Sequence, residues 1–167
     1  MVGRWFVESH KFRKRFITLS YVLIVLLSML GTGKYSAPNP YSTVLRVVGT
    51  VAFVSSVLAA VKIHSMFPKE RHDRPEDFST LLKEGPYAYC RHPFYLALII
   101  NQASIPLLFS SWLGLLTYAA LLPGWWVLIR LEEKELVKYW GDEYVNYMRD
   151  VPALIPLPRR RRRDKSC

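Results

Sequence analysis

Long uncharged runs alternate with basic segments along this chain. Phe16 to Gly33, FITLSYVLIVLLSMLGTG, carries no charge, and neither does the 36-residue stretch from Phe94 to Ile129. A bilayer core about 30 Å thick needs about 20 mainly apolar residues in a helix. The first run therefore predicts one span, over 16–33. Tyr41 to Ile63 predicts a second, with Arg46 and Lys62 near its ends, where both can reach the headgroups. The long run suits two spans, over 94–110 and 112–130, joined by a tight turn in FSSWLG at 109–114. Small residues in the second span (Gly49, Ser55, Ser56, Ala59, Ala60) suit close helix approach in lipid. Asn101, Gln102, Pro106 and Pro123 lie inside the last two spans and predict interhelical hydrogen bonds or kinks.

The first run also has the outline of a signal peptide, with a basic start and YSA before Pro38. Against that reading, a tyrosine suits a small-x-small cleavage site poorly and a proline would follow the cut. The pattern predicts an all-α integral membrane protein of about four transmembrane helices, forming a single domain over 1–167.

Charge orients these spans. Of 167 residues, 23 are Lys or Arg and 13 Asp or Glu, a net charge of +10. Arg4, Lys11, Arg13, Lys14 and Arg15 precede the first span, while the loop after it holds Lys34 alone. Lys62, Lys69, Arg71, Arg74, Lys83 and Arg91 surround the second loop, the hairpin tip has none, and ten follow from Arg130 onward. The positive-inside rule then puts both termini and the 64–93 loop on the cytoplasmic side. The endoplasmic reticulum and a prokaryotic plasma membrane would both give this pattern. RRRRR at 159–163 reads as a juxtamembrane cluster facing anionic lipid, and no nucleic-acid partner is expected. Cys90 and Cys167 form neither a paired-CxxC motif nor a disulfide framework, so no metal site is expected, and Cys90 reads as an inert interfacial thiol.

On this topology the reactive side chains gather on one side. One cluster is STLLKEGPYAYCRHPFY at 79–95, and the other is RLEEKELVKYWGDEYVNYMRDVPALIP at 130–156. They flank the last helical hairpin, whose two ends meet in space, so Arg91-His92 is expected near Arg130-Glu132-Glu133. Pro93 suits the first turn of the third span, where its missing N–H costs nothing. The free N–H groups of that turn would attract a carboxylate. Beyond Gly141, Tyr144, Tyr147, Met148 and Val151 recur at i, i+3, i+4 and i+7. This predicts a short amphipathic helix on the membrane surface or roofing a pocket. VPALIPLP would follow as a proline-stiffened strap.

Taken in order, these clusters resemble the isoprenylcysteine carboxyl methyltransferase family and the related membrane phospholipid methyltransferases. The shared pattern is G-x-Y-x-x-x-R-H-P-x-Y at Gly85–Tyr95, E-E-x-x-L at Glu132–Leu136, G-x-x-Y-x-x-Y at Gly141–Tyr147 and V-P-x-x-I-P at Val151–Pro156. It covers 79–156, about half of the chain, which would be the catalytic and cofactor-binding region. Many family members have a glycine shortly after the RHPxY tyrosine, where this chain has YLALII.

The resemblance implies S-adenosyl-L-methionine as methyl donor, held in a cytosol-facing C-terminal pocket. It implies that Thr80, Leu81, Leu82, Tyr87, His92, Pro93, Phe94, Tyr95 and Glu132 bind the donor. Arg91 and Glu133 would shape the reacting end, and Arg130 would meet the acceptor's anionic group. Arg130 is spaced from the glutamates differently than in the family.

Methyl transfer from a sulfonium is an in-line displacement on an activated donor, so alignment and desolvation are the protein's main tasks. A carboxylate acceptor is already a nucleophile at neutral pH and needs only an orienting arginine. An amine would need a base, Glu133 or His92. The expected reaction is O-methylation of the C-terminal carboxylate of a prenylated cysteine or a similar lipid-linked acid. The alternatives are a phospholipid amine or a small apolar thiol as acceptor, a sterol-reductase-like nicotinamide enzyme, and a non-enzymatic membrane scaffold.

Overall fold

The computed structural model describes residues 2–32, 41–66 and 81–155, with side chains from Lys11 onward in the first helix. Its regular elements are helices, joined by short irregular segments. α1 spans Val2–Leu30, α2 Tyr41–Ser65, α3 Pro93–Leu108, α4 Trp112–Trp140 and α5 Asp142–Asp150, with a 3-10 turn at Gly85–Ala88 ahead of α3. α2 packs along α3 and α1 along α4, while α3 and α4 form the expected hairpin and α5 folds back on α4.

Local sequence sets these boundaries. Pro93 starts α3 at its first turn, as its fixed φ and missing N–H favour. The turn after α3 falls inside the FSSWLG stretch, between Leu108 and Trp112, where α4 begins. Ser110 takes φ 51°. Ser111 caps α4 by accepting from the Gly114 amide at 3.2 Å. α4 continues well past Arg130 and ends at Gly141, whose φ of 57° is left-handed backbone that favours glycine. Glu132 and Glu133 therefore sit on the rigid extension of a long helix rather than on a loop.

Two adjacent amides on α3 tie the four long helices together. Gln102 is fully buried; it donates to Ser20 Oγ on α1 at 2.6 Å and accepts from Trp125 Nε1 on α4 at 2.9 Å. Asn101 donates to Ser56 Oγ on α2 at 3.0 Å and accepts from the Tyr21 hydroxyl on α1 at 2.9 Å. These are the interhelical hydrogen bonds predicted for the two residues. They also make α1 part of the bundle core. α2 meets α3 closely at Gly49, where a Cβ would stand 2.8 Å from the Leu108 nitrogen.

The outside of the bundle is apolar. Val44, Val47, Val51, Val54, Leu58 and Val61 form one exposed stripe along α2 at helical spacing. Such a stripe suits a lipid surrounding. Among the described residues, α2 and α4 are long and apolar enough to cross a membrane, and α3 is a shorter apolar helix. YSA at 35–37, the 67–80 segment and the RRRRR cluster lie outside the described residues.

Candidate active site at the polar end of the hairpin

The residues just before α3 and the extension of α4 meet, as the hairpin geometry predicts. Arg91 Nε donates to Glu133 Oε1 at 2.9 Å, and its Nη2 engages the same oxygen. Both side chains are sequestered, at 8% and 4% exposure. His92 is buried beside them, with Nε2 3.4 Å from Glu133 Oε1 and no hydrogen-bond partner among the described residues. Burial pushes the Glu133 carboxyl up, but His92 and the Arg91 guanidinium more than offset this and hold it below its ordinary range.

α5 and the strap close over this pair. Arg91 Nη1 donates to Met148 O at 2.9 Å and also to Val151 O. The backbone amides of Arg91 and His92 donate to Pro152 O at 2.9 Å and Ala153 O at 3.0 Å. These two amides, just ahead of the first turn of α3, are held by the strap. The amphipathic face of α5 does roof the site: Tyr144, Tyr147 and Val151 are buried against Leu81, Leu136, Val137, Trp140 and Met148. Tyr147 donates to Tyr87 O at 2.6 Å, and the exposed Lys83–Glu143 pair, also at 2.6 Å, ties the 81–84 segment to α5. The Tyr144 hydroxyl is buried without a hydrogen-bond partner among the described residues, and its burial, with Glu133 nearby, pushes its titration upward.

Glu132, one residue along α4, faces a different set of groups. Tyr95 donates its hydroxyl to Glu132 Oε2, and Arg13 Nη1 lies 3.2 Å from the same atom. The other arm of Arg13, Nη2, lies 3.5 Å from Glu135 Oε2. The Tyr95 ring stacks on His92 and contacts Trp125, with centroids 5.7 Å apart in each case. Arg130 stands at the rim at 53% exposure, with Nη1 3.5 Å from Glu133 Oε2 and its guanidinium 4.6 Å from the Trp126 ring centroid.

The structure therefore brings Arg91, His92, Tyr95, Arg130, Glu132 and Glu133 together at one end of the bundle. Pro93 is buried and Phe94 half-buried in the first turn of α3. Leu81 and Tyr87 are joined to α5, and Leu82 lies half-buried beside Leu81. Thr80 lies outside the described residues. Cys90 is buried, which raises its thiol's titration and agrees with an inert role. Sequence reasoning missed Arg13, Glu135 and the Tyr144 hydroxyl. Arg13 was visible only as one member of a basic flank.

Two buried polar atoms near Glu133, His92 Nε2 and the Tyr144 hydroxyl, lack partners among the described residues, and buried polar atoms are normally paired. With two carboxylates on α4, they fit a polar, partly cationic small molecule such as S-adenosylmethionine.

The family model for phospholipid methyltransferase matches residues 40–143. Protein-S-isoprenylcysteine O-methyltransferase of Schizosaccharomyces pombe is 35% identical over 78 residues, 46% of this chain and 33% of that protein. Methanethiol S-methyltransferase of Crocosphaera subtropica is 37% identical over 92 residues, 55% of this chain and 34% of that protein. The chain thus spans about a third of the length of these curated relatives. The fold is similar to that of a solved eukaryotic intramembrane Ras methyltransferase, isoprenylcysteine carboxyl methyltransferase. That likeness has a TM-score of 0.52 at 20% identity and covers 89% of this chain and 53% of the other.

Proposed function

The chain belongs to the phospholipid methyltransferase family, and from that premise we propose that it is an S-adenosylmethionine-dependent membrane methyltransferase. Its proposed acceptor is the C-terminal carboxylate of a prenylated cysteine or a similar lipid-linked acid. The observation that carries this reading is the closed Arg91–Glu133–His92 cluster under α5, with two buried polar atoms that have no partner among the described residues. The proposed topology has four spans, formed by the apolar part of α1 and by α2, α3 and α4, with the site and both termini on the cytoplasmic side. Its support is the alternation of basic residues between successive loops.

When bound, S-adenosylmethionine supplies a methyl group already activated by its sulfonium. Glu132, His92, Tyr95 and Tyr87 would hold its polar groups, and Thr80, Leu81, Leu82, Pro93 and Phe94 would line it. Arg91 fixes Glu133 and locks α5 and the strap over the site, which excludes water from the reacting end. Arg130, exposed at the rim on the face of Trp126, is placed to orient an acceptor carboxylate arriving from the lipid side. No general base is needed for a carboxylate.

Calorimetry of detergent-purified protein with S-adenosylhomocysteine, beside NADPH, tests the donor. Binding of the first alone is expected, and its absence would remove the methyltransferase reading. Label from tritiated donor should then appear on a farnesylcysteine acid. A thiol acceptor is the second reading, favoured by the similarity to methanethiol S-methyltransferase, and label on a small apolar thiol instead would select it.

A further inference from the structure

We propose that Arg13 is a positioning residue for the donor site, reaching from α1 to hold Glu132 in place. This rests on the reading of Glu132 as a donor ligand and adds a residue outside 40–143, the segment that the family model matches.

Arg13 lies within α1, just before its apolar run, with its side chain 11% exposed. A guanidinium withdrawn from water this far needs charged partners. It has two on α4, Glu132 and Glu135, one for each arm of its fork. The two glutamates are three residues apart, so they share one face of α4. Glu135 is more deeply buried than Glu132, at 4% against 24% side-chain exposure, and so forms the fixed end of the bridge.

Both groups that engage Glu132, Arg13 and the Tyr95 hydroxyl, fall on Oε2. No hydrogen bond to Oε1 occurs among the described residues. One oxygen is thus anchored from two helices while the other, on a partly exposed side chain, remains able to accept from a ligand. This arrangement pre-organises a ligand, because the rotamer is fixed before the ligand arrives. A lysine at position 13 would bring the charge but not the fork, and could not bridge both carboxylates with the same geometry.

The test is calorimetric binding of S-adenosylhomocysteine to the full-length protein in detergent, with melting temperatures measured alongside. Arg13→Met is expected to weaken binding about tenfold in the wild-type background. In a Glu132→Gln background it should weaken binding no further. Arg13→Lys should recover part of the loss, to within about threefold of wild type. A purely structural ion pair would instead shift the melting temperature and weaken binding equally in both backgrounds, which would overturn the proposal.

If Arg13→Met does not accumulate folded, Arg13→Lys decides. About threefold weaker binding is expected in the wild-type background and none in Glu132→Gln. Wild-type binding, or equal weakening in both backgrounds, overturns the proposal. The underlying reading fails separately: wild-type protein would not bind the ligand, or Glu132→Gln alone would leave binding intact.

Discussion

Arg91→Met would strip the site of the cation that neutralises Glu133. The carboxylate is only 4% exposed, and its remaining close neighbours are the exposed Arg130 guanidinium at 3.5 Å and the His92 imidazole at 3.4 Å. Removing one partner of a buried pair costs about 3–5 kcal/mol, chiefly because the other charge is left uncompensated. Met148 O and Val151 O lose a donor in the same step. For a domain of this size, 1 kcal/mol corresponds to roughly 2–4 °C, so melting should fall by about 10 °C.

The double variant Arg91→Met/Glu133→Gln removes the stranded charge as well. It should recover about 2 kcal/mol relative to the single variant, because a neutral amide is much cheaper to bury than a carboxylate. Thermal unfolding in detergent, followed by tryptophan fluorescence, measures both. Hydrogen exchange at the Arg91 and His92 amides reports the strap directly, since those amides are protected by Pro152 and Ala153. Equal melting of the single and double variants would refute the charge argument. Unchanged amide protection would refute the clamp.

Three further expectations follow from the same geometry. The folded Glu133 carboxyl titrates below its ordinary value of 4.5, so its stabilisation is present above that value and disappears as pH falls through the lower folded one. The melting gap between wild type and Glu133→Gln should therefore narrow as pH falls below 4.5, and a constant gap would contradict this. Tyr144→Phe removes a buried hydroxyl that has no partner among the described residues and should raise ligand-free stability by about 1 kcal/mol while weakening S-adenosylhomocysteine binding; a loss of stability in unfolding experiments would count against it. Gln102→Leu breaks the bridge from Ser20 to Trp125 and should cost about 1 kcal/mol in detergent unfolding, with no loss refuting its role as a tie.

The hairpin was legible because a 36-residue uncharged run, Phe94 to Ile129, is too long to cross a bilayer once. Its length alone brought Arg91-His92 to Arg130-Glu133. Asn101 and Gln102 were legible as interhelical ties, since a buried amide among apolar residues must find a partner. Arg13 was not. Its ion pairs depend on how α1 lies against α4, and no local pattern encodes that packing. Beside lysines and arginines facing headgroups, a site residue looks like any other positive charge. The strap's hold on the Arg91 and His92 amides was not legible either, because no local pattern shows which distant carbonyls will reach them.

The strap has a consequence for biosynthesis. A ribosome delivers residues in order, and the carbonyls of 148–153 that secure Arg91 and its neighbouring amide emerge after all four long helices. A nascent chain halted just beyond α4 would already hold its hairpin and its glutamates, yet its arginine would have nothing to clamp. On the proposed function, such an incomplete product would hold its helices without a finished reaction centre.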